Sequence, residues 1–515
     1  MLSNRIKEFL TNTKEHFKGR WTIIVLMLVG TLFCVIFAAT GNLPLALLAC
    51  AIPFGLILLG VFIQHPLLLF IILFVVNYGI MGIGRYINIP LPISVLMDGL
   101  FISTLIMFCI KVIRKRTDFK QEVIPFILLY SVWVIYCLIQ VFNNTAGIGF
   151  ENMVTPWFKD IRPMAFHALY IVVIFTLLFN KNKHIRYFLY LWGFAILLAT
   201  IKGYLQRNHG FDTAEMRWLM SGASRTHFIH SGIRYFSFFT DAANYGSHMA
   251  FSLVTYAICF LYEKNRFDKI CWLVVAIASG YGMMISGTRT ALIVAISGFV
   301  MYTLLSKNIK LFLVSCSFLA VSVGVLKYTD IGNGNQFVRR MRTAFNPEDA
   351  SLQVRLNNQK AIKAYMKEAP WGIGLGIGMG SDQLPQNNKY WIVSVTAPDS
   401  TLVYIWMRTG AVGITIFMLV LTLAIVAESF IVLFRIKDEQ LRGKLTAFTC
   451  GCACMIVAAY GNFIYHQYPN TLLVFGLQTL VFMGPYFDKQ IMAEKNQKVV
   501  AVDNKDKQVD EEYQG

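Results

Sequence analysis

The sequence predicts an all-α polytopic integral membrane protein of about 14 transmembrane helices, with both termini cytoplasmic and a large periplasmic loop before the last three helices. Three observations lead there. Of 515 residues, 56% are hydrophobic and 14% charged, where a soluble domain carries about a quarter charged. Uncharged apolar runs of roughly 20 residues recur between Trp21 and Tyr486, each long enough to cross a hydrocarbon core. Lipid forces such runs to be helical, because every backbone polar group must pair within its own segment. Finally, short basic segments alternate with long mixed ones, which sets the orientation.

Spans are expected near 22–39, 43–63, 66–83, 94–113, 123–142, 163–179, 187–204, 243–262, 270–286, 289–305, 311–327, 410–434, 445–464 and 470–486. The first run follows Arg5, Lys7, Lys14, Lys18 and Arg20 and lacks a small-residue cleavage site, so it reads as a retained span. Residues 1–21 form a basic cytoplasmic N-terminus, and 22–327 a membrane domain of about eleven helices with an external loop at 205–242. Residues 328–409 form the large periplasmic loop, and 410–486 a second membrane stretch of about three helices. The tail, 487–515, is polar and mixed in charge, and is expected to be disordered.

The net charge of +18 follows from basic cytoplasmic loops at 111–120, 181–186, 264–269, 307–310 and 435–444, so no nucleic-acid partner is expected. The ten cysteines lie in apolar runs, which argues against a disulfide framework or a zinc site. Cys450, Cys452 and Cys454 do not converge on a helix and read as small packing residues. No cofactor and no metal are expected; His227 and His230 lack a third ligand.

The three long external segments, 143–162, 205–242 and 328–409, carry arginines that the orientation rule does not explain. Arg207, Arg217, Arg225, Arg234, Arg289, Arg339, Arg340, Arg342, Arg355 and Arg408 fall on that side. Each alone is readily a solvated charge. Together they make a site for a polyanion or a diphosphate, which arginine grips bidentately.

Four stretches carry the chemistry. Ser286-Gly287-Thr288-Arg289-Thr290 joins two short apolar runs, so Arg289 sits at or just below the membrane surface. An ionisable residue there is a functional candidate, against snorkelling to lipid phosphates. Ser351–Pro370 reads as an amphipathic helix with Arg355 on its first turn and Pro370 as its stop. The glycines at 372, 374, 376, 378 and 380 have no preceding strand and no Gly-Lys-Ser/Thr, so they read as a tight backbone turn and not as a nucleotide loop. Asp399-Ser400 opens the next helix. Asp399 is either a general base at the interface or an N-cap, and Arg408 lies near the start of the span. In the middle loop Asp241 can cap the helix that Asn244 enters, with an N-terminus suited to anions. His466 faces the same side as a second proton-transfer candidate.

These stretches resemble the bacterial O-antigen ligase/polymerase family of membrane glycosyltransferases. The family's Ser/Thr-Arg motif between two helices matches Gly287-Thr288-Arg289-Thr290. Its arginine-bearing external helix, ending in proline and an aromatic-Gly-x-Gly-x-Gly run, matches Arg355 through Gly376. Its helix entry is similar to Asp241–Gly246, with Ala243 where proline is common. Many members have His-Asn where this chain has Asp399-Ser400.

The resemblance implies a bacterial inner-membrane, multi-pass enzyme acting on an undecaprenyl-diphosphate-linked glycan donor and a saccharide or lipid A-core acceptor. Membrane lipids and other polysaccharide-assembly membrane proteins are the further partners it implies. Arg289 and Arg355, with Arg234, Arg408, Arg339 and Arg340, would hold the diphosphate. Asp399 or His466 would move the proton, supported by Thr288, Asp241, Asn244 and Ser400. The competing class is a transporter or flippase, which places polar sites near the midplane; Asp98 and Glu428 are the mid-span ionisable residues here.

Overall fold

The computed structural model describes residues 66–87, 93–113, 119–229, 232–306, 327–334, 336–342, 350–379 and 382–497, with scattered positions from 310 to 348. Two expected spans, 22–39 and 43–63, and most of 311–327 lie outside the described residues. The chain divides into two compact units, Met1–Ile72 with Ser103–Thr117, and Leu73–Ile102 with Asp118–Gly515. Of the first, only the opening turns of the helix Pro66–Tyr86 and the closing turns of Ile93–Ile113 are described. Everything below concerns the second.

That unit is almost wholly helical, with one two-residue hairpin pairing Phe228–Ile229 and Gly232–Ile233. Among the described residues eight helices are long and apolar enough to cross a membrane, or nine if Asn470–Phe482 and Gly484–Gln497, bent by 52°, form one span. Two further helices stand at expected spans. Ala242–Tyr262 has its apolar content diluted by Asn244, Ser247, His248, Ser252 and Thr255, and Arg289–Leu305 is 17 residues long.

Ala242–Tyr262 is the hub, packed against Arg266–Ile285, Arg289–Leu305 and Glu439–Gly461. Its polar residues are tolerable because the helix faces protein on nearly every side. His248 Nε2 accepts from Tyr78 Oη at 2.7 Å, and its Nδ1 donates to Asn470 Oδ1 at 2.8 Å. Asn470–Phe482 is buried along its whole length. Asn265 caps Arg266–Ile285 by accepting from Phe267 and Asp268 N–H, and Asp438 caps Glu439–Gly461 through Leu441 N–H.

Three boundaries differ from the sequence expectation. The span expected from 163 is preceded by the helix Phe150–Ile161, continuous with it through a wide turn at Arg162–Phe166. Charges at Lys159, Asp160 and Arg162 hide it in hydropathy; Asp160 and Arg162 are both ion-paired with distant residues. The helix Thr401–Phe430 begins nine residues before the expected 410 and is broken at Gly410, whose φ is +71°. Gly484–Gln497 continues as helix into the segment read as a disordered tail.

The Gly410 break is bridged by the glycine run. Pro370 C=O accepts from Val412 N–H at 3.2 Å, while Ile373 and Gly374 N–H donate to the carbonyls of Met407 and Arg408 at 3.0 and 3.1 Å. A Cβ at Gly372 would lie 2.2 Å from the Arg408 carbonyl oxygen, so only glycine lets the two backbones meet. The alternate glycines therefore serve a backbone crossing.

Candidate functional site

The site grows from the turn between Arg266–Ile285 and Arg289–Leu305. Ser286 Oγ donates to Met283 C=O at 2.7 Å and accepts from Thr288 N–H at 3.2 Å. Thr288 Oγ1 donates to Ala242 C=O at 2.8 Å and accepts from Arg234 Nη2 at 3.0 Å. Arg234 is held a second time by Thr226 C=O at 3.0 Å, and its Nε is buried without a partner. Arg340 Nε donates to Gly287 C=O at 3.3 Å. One turn thus collects Arg234, Arg289 and Arg340.

The approach of Ala242–Tyr262 to this turn depends on Gly246, where a Cβ would sit 2.2 Å from Ser286 Oγ and 3.0 Å from Thr288 Cβ. Gly246→Val is expected to cost about 1–3 kcal/mol by overpacking and to displace Thr288 and Arg234. A lower thermal midpoint in detergent checks it; an unchanged midpoint counts against this close approach.

Arg355 arrives from the helix Ala350–Met366. Its Nη1 donates to Gly461 C=O at 2.7 Å and its Nη2 to Asn462 Oδ1 at 3.3 Å. One helical turn on, Asn358 Nδ2 donates to Asp399 Oδ2 at 3.0 Å. Thr401 N–H and Oγ1 both donate to Asn462 C=O, at 3.2 and 3.1 Å, and so pin the helix entry behind Asp399 to the same loop.

Electrostatics join the two halves. Burial lowers the Arg234 guanidinium from its usual range; Asp241 opposes this, and Arg355 and Arg289 add to it. Three guanidiniums are therefore within interaction range of one another, and the Asp241 carboxylate acts on Arg234. That carboxylate is engaged in capping: Asp241 accepts from Ala243 and Asn244 N–H at 2.7 and 2.9 Å. Guanidinium keeps its charge in such a setting.

The remaining expected residues lie elsewhere or act as fasteners. Asn244 donates to Gln467 Oε1 at 2.8 Å and accepts from Asn470 at 2.6 Å, tying two helices. Ser400 is the N-cap of Thr401–Phe430, accepting from Val403 N–H at 3.2 Å. Arg339 is exposed and donates to Asn333 C=O at 2.9 Å.

Arg408 is buried and committed: Nη1 to Asp160 Oδ2 at 2.7 Å, Nε to Ile377 C=O at 3.1 Å, and its guanidinium 3.6 Å from the Tyr404 ring centroid. Its partners belong to the glycine crossing and not to the turn that holds Arg289 or the helix that holds Arg355.

His466 is buried, and neither ring nitrogen has a hydrogen-bond partner. Burial first, and then the neighbouring His167, push its imidazole down to about 3. It is neutral at physiological pH and has little basicity to offer. His227 is locked by Ala223 C=O at 2.8 Å and Ala242 N–H at 3.2 Å, and His230 lies outside the described residues. No group of three metal-ligating side chains occurs among the described residues.

Sequence reasoning missed Asn358 and Asn462. The only signal for Asn358 was its position three residues after Arg355, on the same helix face. It also missed the partners of Asp98, whose carboxylate binds His167 Nε2 at 2.6 Å and the Arg162 guanidinium.

Residues 273–418 match the family model described as O-Antigen ligase. The match takes in Thr288, Arg289, Arg340, Arg355 and Asp399, and leaves out Arg234, Asp241 and His466. No curated protein matches the chain.

Proposed function

We propose that this chain of the O-antigen ligase/polymerase family is a glycosyltransferase of surface polysaccharide assembly. It moves an undecaprenyl-diphosphate-linked glycan onto a sugar hydroxyl at the external face of the bacterial inner membrane, as a polymerase extending a repeat-unit chain. The observation that carries this is the convergence of Arg234, Arg289 and Arg355, with Arg340 on the same turn.

In this reading the arginines bind the donor diphosphate and stabilise the charge that grows on it as the anomeric C–O bond breaks. Asp399 takes the proton of the acceptor hydroxyl. The oxygen forms the new glycosidic bond with inversion, and the polyprenyl diphosphate leaves with the bonding electron pair. Asp399 has one oxygen on Asn358 and, among the described residues, no hydrogen-bond partner on the other, as suits a base. It fills the role that a histidine fills in many relatives, and the environment of His466 supports that assignment.

The test is direct. Purified full-length protein in lipid nanodiscs, with no ion gradient, is expected to convert the lipid-linked repeat unit extracted from the producing cells into longer lipid-linked chains. Absence of any donor consumption, with transbilayer movement of the same lipid instead, would establish the transporter reading. Surface glycans after gene deletion distinguish the two family activities: shortened chains mean polymerase, unattached full-length chains mean ligase.

A further inference from the structure

Asn462 opens the loop after Glu439–Gly461 and is buried. Three of its four polar groups are accounted for. Its N–H donates to Ala458 C=O at 3.0 Å, its C=O accepts from Thr401, and its Oδ1 accepts from Arg355 Nη2. The fourth, Nδ2, is buried with no partner. The amide cannot be turned over to cure this, since guanidinium is donor only and needs the oxygen on its side. A desolvated donor left unsatisfied is costly and calls for a specific explanation.

Its surroundings supply one. Arg355 and Asn358 are three residues apart on one helix face, where side chains stand about one turn apart. Arg355 touches Asn462, and Asn358 touches Asp399. Thr401, two residues beyond Asp399, is bonded to the Asn462 carbonyl. The spare amide donor and the carboxylate therefore belong to one junction, where the helix Ala350–Met366, the Asp399–Thr401 helix entry and the loop at Asn462 meet. An acceptor carboxylate beside a neutral donor matches the pattern of neighbouring hydroxyls on a saccharide; a diphosphate would instead seek the guanidiniums.

We propose that Asn462 is a substrate-contacting residue of the acceptor subsite, its Nδ2 donating to a saccharide oxygen next to the hydroxyl that Asp399 deprotonates. This rests on the glycosyltransferase reading above.

Asn462→Asp separates contact from positioning. The carboxylate still accepts from Arg355, and more strongly, but it has no proton to donate. Transfer is measured with the lipid-linked repeat unit as donor and the same glycan, released from its lipid, as acceptor. The expected result is an acceptor KM raised about tenfold with the donor KM within about twofold of wild type. Asn462→Ala, which also removes the Oδ1 that Arg355 Nη2 donates to, is expected to raise both. If Asn462→Asp does not accumulate folded, the alanine variant carries the test. An acceptor KM unchanged in the folded variant overturns the inference, as does a rise confined to the donor KM, which would make Asn462 a positioning residue for Arg355. A wild-type protein that consumes no donor overturns the glycosyltransferase reading, and this inference falls with it.

Discussion

Replacing Arg355 with alanine is expected to lower the transfer rate by about 10²–10³-fold, the scale of removing one preorganised donor aimed at developing charge. Arg289→Ala is expected to do the same and to abolish glycan extension in cells while the protein still inserts in the membrane. Arg355→Lys keeps the charge but not the fork that spans Gly461 and Asn462, so it should recover only part of the rate. Asp399→Asn removes the proton acceptor, for a loss of about 10²–10⁴-fold. Each variant is read by the length distribution of lipid-linked glycan and by its abundance in the membrane fraction. Unchanged ladders in Arg289→Ala or Arg355→Ala would remove the diphosphate site from the proposal.

Arg408→Ala is expected to act through folding. Arg408 is 3% exposed and its partner Asp160 is nearly as buried. Tyr404 Oη and Gly376 N–H complete the carboxylate's shell at 3.0 and 3.1 Å. Breaking a buried pair by deleting one partner leaves a charge without compensation, at about 3–5 kcal/mol. The variant should show a sharply lower thermal midpoint and poor recovery as a monodisperse species from detergent. Combining it with Asp160→Leu should restore part of the loss, because two apolar groups leave no buried charge. If Arg408→Ala were as stable as wild type yet inactive, Arg408 would belong with the donor-binding arginines after all.

What the sequence could show depended on how local each signal was. Thr288 and Arg289 stood between two apolar runs, so their place at a helix end followed from hydropathy. Asp241 preceded a helix and caps it; at the other entry the cap is Ser400, one residue beyond the expected Asp399. Arg234 stood only among the external arginines, and the structure bonds it to Thr288, 54 residues later.

Arg408 shows the opposite. Its role is set by Asp160, which lies 248 residues earlier, and no spacing rule reaches that far. The same pairing explains why Phe150–Ile161 read as loop: charges that look solvated in a hydropathy window are neutralised by a partner elsewhere in the chain. His466 was rightly seen to lie beyond a span, but only packing shows its ring enclosed beside Phe417 and Tyr465. Asn462, a neutral residue in a short loop, carried no sequence signal; its orphaned amide exists only in three dimensions.

The glycine crossing bears on how such enzymes can be recombined. The loop from 350 to 379 closes the gap in the helix Thr401–Phe430 with its own carbonyl and amides, so loop and helix form one folding unit. A chimera that grafts this loop from another chain must carry the Gly410 break and the Arg408–Asp160 pair as well. A boundary drawn at the membrane surface would cut through a set of backbone bonds that neither half can replace.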